Sequence, residues 1–308
     1  MTSTPAGAVA LPPTRVTYPA GSVASTGTVL RVDRRDDGTL AVVLDETACH
    51  PVDAAWPDQP ADRAVLRVRG AAIEVLDCEV GAVGAVGAAA DPAGREAELH
   101  VGAGVPVKKG ADGWSFVAVH IVPGDAEVRP GDVAEVAVDP EHRRALSAGH
   151  TGCHLASLAL DRALADAWSK DVPRDALGAP GFDALAIDTS RIGPWSSVDV
   201  YRLGKSLRKK GFVPAALVDH LDEVRARVDA TLAEWVASGA AARIEREGDL
   251  LTSRRSWVCE LPDGTARIPC GGTHLGGLDE LASVRVDLEV EEADGAVVVR
   301  MRTTCVPA

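Results

Sequence analysis

The amino-acid sequence predicts an α+β protein, in which a small N-terminal β-barrel precedes an α+β domain with a largely antiparallel sheet. Short strand-like runs separated by glycine and proline fill the first part of the chain, which is typical of small barrels. After Asp139-Pro140 the apolar residues recur at helical spacing, and strands follow the helices. We therefore expect a loose arm over residues 1–20, a barrel domain over residues 21–140 and a second domain over residues 141–308.

The strands of the first part are predicted from β-branched runs that lie between turn residues. Residues 28–32 and 40–44 flank Asp36-Asp37-Gly38, a favourable turn for a β-hairpin. Further strands are predicted over residues 65–68, 97–101, 115–122 and 131–138.

The second part is predicted to place helices on one side of a sheet. Residues 141–166 form the first helix, and a loop rich in glycine and proline follows as far as Pro180. A strand is predicted over residues 183–189, and an amphipathic helix over residues 214–237. Strands dominate from residue 242 to the end, including residues 283–290 and 295–304.

Two short motifs, more than a hundred residues apart, place metal-ligating residues four positions apart. His150 and His154 lie at the start of an apolar helical stretch, where this spacing puts both imidazoles on one face. Cys270 and His274 are separated by Gly271-Gly272-Thr273, which predicts a tight turn or a helix start. Three imidazoles and one thiolate form a ligand set suited to Zn²⁺, so we expect one zinc ion per chain.

The zinc site has a catalytic and a structural interpretation. Four protein ligands normally make a closed structural site, whereas a catalytic site keeps one position open to water. Histidine dominates here, and the two motifs lie far apart in a chain that is large enough to fold without a metal. These features favour catalysis, which requires one of the four ligands to be weak or absent.

Composition and charge limit the possible partners and the compartment. The net charge of −13 argues against tight nucleic-acid binding and against a DNA partner. The six cysteines lack the spacing of a secreted scaffold, and no signal peptide or membrane-spanning run is evident, which predicts a cytoplasmic protein without a membrane partner. Residues 201–211 contain five cations and no acid, a pattern that by itself indicates a solvated helix face: Arg202, Lys205, Arg208, Lys209 and Lys210.

Several segments together resemble the AlaX-type trans-editing deacylases and the editing domains of alanyl- and threonyl-tRNA synthetases. The resemblance covers nearly the whole chain after the predicted arm, and its two metal motifs are its most specific part. The matching segments are residues 138–146 with His150 and His154, residues 268–274 with the CGGTH signature, and residues 44–47 and 59–62.

The resemblance implies an enzyme that hydrolyses the ester between a wrongly attached amino acid and the 3′ end of tRNA. In this family a zinc site lies beside a pocket between barrel and editing domain, and here the zinc ligands would be His150, His154, Cys270 and His274. Thr47 matches the threonine that contacts the side-chain hydroxyl of the amino acid, and Gln59 matches the glutamine of the pocket wall. Thr151 and Thr273 are further candidates to line the pocket, and the five cations of residues 201–211 become candidate contacts to tRNA phosphates.

Two substrates and one non-catalytic alternative remain open at this point. The deacylase would act in trans, either on Ser-tRNA(Ala) or on tRNA(Thr) that carries a threonine analogue, as a fluorothreonyl-tRNA deacylase does. The alternative is a zinc-stabilised tRNA-binding module without activity. Either interpretation makes aminoacylated tRNA the partner and leaves the oligomeric state open.

One segment departs from the family pattern. Where the family has a run of glycines before Gln59, this chain has residues 52–58, which contain Trp56 and two acids. Such a segment cannot reproduce a bare glycine backbone surface. It indicates either a reshaped substrate pocket or a divergent loop that packs its tryptophan inward.

Overall fold

A computed structural model describes residues 11–84, 97–293 and 296–308, which form two compact units. The described part of the first unit comprises residues 11–57, 61–84, 97–140 and 247–254, and that of the second comprises residues 58–60, 141–246, 255–293 and 296–308. The fold is α+β with mostly antiparallel sheets, as the sequence predicts. No helix of the described residues is both long and apolar enough to cross a membrane.

The first unit is built almost entirely of strands. Their bounds are β1 Arg15–Val16, β2 Ala24–Arg34, β3 Leu40–Leu44, β4 Glu46–Thr47, β5 Ala64–Val68, β6 Ala71–Val75, β7 Asp77–Gly84, β8 Leu99–Val101, β9 Trp114–Val122 and β10 Val133–Val138. The hairpin predicted from Asp36-Asp37-Gly38 is confirmed, because β2 pairs with β3 and Gly38 adopts φ +85° in the connection. Glycine suits this left-handed conformation because it has no Cβ atom.

Eight of these strands form one antiparallel sheet in the order β6-β5-β10-β2-β3-β9-β7-β8, while β1 and β4 pair in parallel. Within the described residues β6 and β8 are the two ends of this order, so the sheet is open and the closed barrel is not confirmed. The central strands are buried on both faces, since all five residues of β3 and the last seven of β9 are buried. The core includes Val29, Val42, Leu44, Leu66, Ala118 and Val136.

The N-terminal segment differs in part from the predicted loose arm over residues 1–20. Residues 1–10 lie outside the described residues, but Thr14, Val16 and Tyr18 are buried. Thr14 donates its hydroxyl hydrogen to the carbonyl oxygen of Leu44 at 2.9 Å, and β1 pairs with β4. The alternate side chains Thr14, Val16 and Tyr18 therefore anchor residues 14–18, although the composition of this segment resembles that of a linker.

The second unit combines five helices with seven strands among its described residues. Their bounds are α1 Pro140–Ala163, α2 Phe182–Ala186, β11 Ile187–Gly193, β12 Ser196–Arg202, α3 Lys205–Lys209, α4 Ala215–Val218, α5 Leu221–Ala237, β13 Ala242–Arg246, β14 Arg255–Leu261, β15 Gly264–Pro269, β16 Leu281–Ala293 and β17 Ala296–Pro307. Two antiparallel sheets result, in the orders β11-β12-β17-β16 and β13-β14-β15. The shared core includes Leu155, Leu160, Tyr201, Trp235, Trp257 and Met301.

Two elements of this unit differ from their predicted bounds: one strand begins later, and one helix is interrupted. Residues 182–186 form a helical turn, because the Asp183 N–H donates to Asp161 Oδ1 at 2.7 Å, and the strand begins only at Ile187. The helix predicted over residues 214–237 is divided into α4 and α5. His220 adopts φ −134° and ψ 32°, outside the helical region, and this interrupts the helix.

Candidate metal centre

The first pair of candidate ligands lies in the middle of α1. This helix begins at Pro140, whose fixed φ suits the first helical position, and has Glu141 in its first turn and Arg162 in its last. His150 and His154 follow each other by one turn, and their rings stack with centroids 4.9 Å apart. The helix therefore presents both imidazoles side by side, as their spacing predicts.

The second pair of candidate ligands lies in a loop that follows β15. The Cys270 N–H donates to the Arg255 carbonyl oxygen at 3.1 Å, which ties the start of the loop to β14. The Gly272 N–H points at Cys270 Sγ over 3.4 Å, and the Leu275 N–H donates to Thr151 Oγ1 at 3.1 Å. Hydrogen bonds thus hold the start of the loop to β14 and the residue after His274 to α1.

The four predicted ligands converge. The ligand atoms of His150, His154, Cys270 and His274 all lie within 4.8 Å of one another. Cys270 Sγ is 3.4 Å from His150 Nε2 and 3.2 Å from His274 Nε2. These four side chains can hold a single metal ion, and three nitrogens with one sulfur suit Zn²⁺.

His154 provides a test of whether a metal ion fits. Its Nε2 is buried and has no hydrogen-bond partner among the described residues. Its ring lies between those of His150 and Trp257, and the Trp257 ring is stacked at 5.2 Å. Burial lowers the pKa of His154 to about 4, so the neutral, ligating form persists at neutral pH. A bound ion would satisfy a nitrogen whose burial otherwise costs free energy.

Gln59 orients His150. This glutamine is 1% exposed, and its Oε1 lies 2.7 Å from His150 Nδ1 and accepts the Thr273 N–H at 3.0 Å. Because an amide oxygen only accepts, Nδ1 carries the proton and Nε2 faces the ligand cluster with its lone pair. Gln59, predicted to form the pocket wall, therefore supports a metal ligand.

Thr151 and Thr273 also form hydrogen bonds, one with a candidate ligand and one with the glutamine that orients a ligand. Thr151 Oγ1 lies 3.3 Å from His274 Nδ1, and Thr273 Oγ1 accepts from Gln59 Nε2 at 2.9 Å. Ser147 donates to the same Thr273 oxygen at 2.9 Å. The sequence analysis missed Ser147, although it precedes His150 by three residues and so lies on the same helix face. Both threonines are buried, and their predicted contact with substrate stays a prediction.

Thr47 lies in the first unit, with partners of its own. Its Oγ1 is 2.9 Å from His120 Nε2 and accepts the Cys49 N–H at 3.1 Å. Burial lowers the pKa of His120 to about 4. Cys49, Cys78 and His120 form a second group with ligand atoms close together. His120 Nε2 already engages Thr47, and burial raises the pKa of the Cys78 thiol well above its usual value.

The segment over residues 52–58 does not pack its tryptophan inward, because Trp56 is 47% exposed. Asp53 forms an ion pair with Lys109 at 2.5 Å. The segment borders a cavity of about 240 Å³ that Val107 and Phe116 also line. The interpretation of this segment as a divergent loop that packs its tryptophan inward is therefore wrong.

The basic segment, defined as Arg202 with Lys205, Arg208, Lys209 and Lys210, lies at the end of β12 and along α3. All five side chains are exposed, and α3 buries only Leu207. The charges therefore face solvent, where they are available to an anionic partner. This placement agrees equally with a solvated helix face and with a phosphate-binding surface.

Comparisons with known proteins point to one group of enzymes. No protein-family model matches the chain. It is 28% identical to an alanine–tRNA ligase of Frankia alni over 247 residues, which cover 80% of this chain and 22% of the ligase. The alanine–tRNA ligase of Nocardioides sp. is 25% identical over 267 residues, or 86% of this chain and 24% of the ligase.

A third alanine–tRNA ligase, from Akkermansia muciniphila, is 27% identical over 278 residues, or 87% of this chain and 24% of the ligase. The chain thus spans about a quarter of the length of the relatives that it matches. This distant similarity supports the resemblance to the editing-domain superfamily and leaves the type of deacylase open.

Proposed function

We propose that this protein hydrolyses the ester bond of mischarged aminoacyl-tRNA in trans, in a zinc-dependent reaction. The convergence of His150, His154, Cys270 and His274 is the observation that carries this proposal. The similarity to alanine–tRNA ligases supports a tRNA substrate. Such an enzyme would act in the cytoplasm, where aminoacyl-tRNA is made and used.

The residues around the cluster would prepare the site for catalysis. A zinc ion held by His150, His154, Cys270 and His274 would supply Lewis-acid chemistry that activates water and polarises an ester carbonyl. Gln59 keeps the His150 proton on Nδ1, and the Gly272 N–H stabilises negative charge on Cys270 Sγ. Thr273, held by Gln59 and Ser147, keeps the loop in register with α1.

The substrate is proposed to carry a hydroxylated side chain. Serine on tRNA(Ala) and a threonine analogue such as fluorothreonine on tRNA(Thr) both meet this requirement. On the strength of the family resemblance, Thr47 is our candidate to recognise that hydroxyl group. The exposed cations of the basic segment are our candidates for contacts to tRNA phosphates.

A second function is supported by the number of ligands. Four protein ligands normally make a closed structural zinc site. A non-catalytic, zinc-stabilised tRNA-binding module is therefore the competing proposal. It predicts tRNA binding and zinc content without loss of the aminoacyl ester.

A panel of aminoacyl-tRNAs tests the two proposals. The wild-type protein is incubated with Ala, Ser, Thr, Gly and fluorothreonine on matched and mismatched tRNAs, and ester loss is followed. His150→Ala removes a ligand, whereas His220→Ala changes an exposed histidine and serves as the control. We expect rapid release of one hydroxylated amino acid by the wild type and by His220→Ala, and none by His150→Ala.

The outcomes separate the alternatives. Uniform inactivity of a wild-type protein that holds one zinc ion per chain and binds tRNA would favour the structural module. Release that is equally fast in His150→Ala and in wild-type protein stripped of metal by a chelator would rule out a metal-dependent reaction.

A further inference from the structure

Asp58 precedes Gln59 and belongs to the same compact unit as the candidate ligands. Its carbonyl oxygen accepts the Ile192 N–H at 2.8 Å, and its Oδ1 accepts the Gln59 N–H at 2.7 Å. These two bonds fix the backbone and the carboxylate plane. The second carboxylate oxygen, Oδ2, then lies 3.8 Å from His150 Nε2.

The two facing atoms can interact with the same cation. When His150 is a neutral ligand, Gln59 Oε1 accepts the Nδ1 proton and Nε2 presents a lone pair. The Asp58 side chain is only 25% exposed, so water would screen the attraction between its carboxylate and a cation incompletely. A divalent ion at Nε2 would therefore attract the nearby Oδ2 atom.

The charge of the candidate metal centre also favours a carboxylate next to the ion. Three neutral imidazoles and one thiolate leave a Zn²⁺ ion with a net charge of +1, in a centre whose four ligand residues are buried or partly buried. An adjacent carboxylate makes the whole centre neutral, which lowers the cost of burying the ion.

We propose that Asp58 is an additional anionic group of the metal centre, with Oδ2 facing the ion next to His150. Its role is to strengthen metal binding, in addition to the four ligands that the sequence motifs supply. The proposal rests on the proposed zinc-dependent function and extends it to a residue that the motifs do not contain.

Zinc affinity is the direct test. Asp58→Asn keeps an oxygen that accepts the Gln59 N–H and removes only the charge. Asp53→Asn removes an acid of the same segment that pairs with Lys109, and is the matched control. The Kd for Zn²⁺ is measured for each full-length protein by competition with a chromophoric chelator. Circular dichroism of the metal-free proteins checks that each is folded, and Asp58→Ser is a second variant that retains an oxygen acceptor.

We expect Asp58→Asn and Asp58→Ser to raise the Kd for Zn²⁺ about tenfold or more, since groups that support a metal site typically contribute 10- to 100-fold to affinity. Asp53→Asn should retain the wild-type Kd. The sulfur-to-cobalt charge-transfer band of the Co²⁺-loaded proteins should persist in every variant, showing that Cys270 still binds.

Two negative results have different meanings. A wild-type Kd in folded Asp58→Asn would overturn the role of Asp58 and leave the zinc-dependent function untouched. A wild-type protein that binds no zinc at all would overturn both.

Discussion

At the scale of single residues, the candidate centre depends on one position where no side chain fits. A Cβ atom on Gly272 would lie 2.4 Å from His150 Cε1 and 2.5 Å from Gln59 Oε1. Both neighbours are buried and hydrogen-bonded to each other, so neither can move away without losing the orientation of His150. The glycine is needed for close approach and not for an unusual backbone conformation.

The neighbouring glycine provides a matched pair of substitutions. Gly272→Ala should weaken zinc binding and lower the free energy of unfolding by about 1–3 kcal/mol, because overpacking displaces His150 and Gln59. Gly271→Ala meets no atom within 4 Å and should change stability by less than about 0.5 kcal/mol. Chelator competition and urea denaturation measure the two quantities. Equal effects of the two substitutions would contradict this account of Gly272.

At the scale of elements, α1 contains glycines, which disfavour a helix, at the positions where it packs closely against neighbouring strands. A Cβ atom on Gly149 would lie 2.3 Å from the Gly193 carbonyl oxygen and 2.5 Å from that of Ser196, and one on Gly152 would lie 2.3 Å from Cys305 Sγ. Glycine in a helix interior costs about 1 kcal/mol relative to alanine. The helix accepts this cost where it lies directly against the β11–β12 hairpin and β17, and this contact fixes the position of His150.

Gly149→Ala should therefore destabilise the protein even though alanine favours helices. The obstructing atoms are backbone oxygens, which cannot rotate away, so we expect a loss of about 1–3 kcal/mol in the free energy of unfolding. Gly276→Ala is the control, because its nearest obstruction is a flexible Glu280 side chain at 3.9 Å. Urea denaturation compares the two, and a stabilised Gly149→Ala protein would show that helix propensity outweighs the packing.

The basic segment is the element for which a tRNA interaction can be tested most simply. Lys209→Ala with Lys210→Ala should weaken tRNA binding and reduce the slope of log Kd against log salt by about one for each phosphate group that the two lysines neutralise. Arg225→Ala with Arg227→Ala removes the same charge from the exposed face of α5 and should have little effect. Filter binding at several salt concentrations gives both slopes. Equally weakened binding in the two double variants would indicate a general charge effect and not a specific phosphate-binding surface.

At the scale of the whole molecule, buried carboxyl groups make stability depend on pH. Burial raises the pKa of Asp161 to about 9 and that of Asp199 to about 6. Burial also raises the pKa of Asp183, whose Oδ1 accepts the Tyr201 hydroxyl hydrogen at 2.9 Å. These groups bind protons more tightly in the folded protein than in the unfolded chain, so their contribution to stability is greatest in acid and is lost as the pH rises.

The free energy of unfolding should consequently fall as the pH rises from about 4 towards 9, by at most about 1.4 kcal/mol per pH unit for Asp161. Asp199 adds to this fall only between about pH 4 and 6. Asp161→Asn replaces the protonated carboxyl with a neutral group and should flatten the profile above pH 6. Asp222→Asn alters an acid that is 94% exposed and should leave it unchanged. Urea denaturation from pH 5 to 8.5 measures the slopes, and a steep profile in Asp161→Asn would assign the pH dependence to other groups.

The sequence by itself determined the features that follow from the spacing of residues along the chain, namely the ligand pairs and several strands. The four-residue separation in each motif predicted His150, His154, Cys270 and His274, and all four converge. Turn chemistry at Gly38 and β-branched runs predicted the hairpin and six of the ten strands described in the first unit. These features follow from the period of a helix or a strand, which is present in the chain before it folds.

Only the tertiary structure decided which groups support the ligands and where the chain deviates from its local pattern. Gln59 and Asp58 lie about 90 residues before His150, so no periodicity connects them to it. The open order of the eight-stranded sheet and the packed segment around Val16 depend in the same way on pairing between distant strands. Such contacts form because folding brings remote residues together, and their energies arise from burial and hydrogen-bond geometry that a local pattern does not contain.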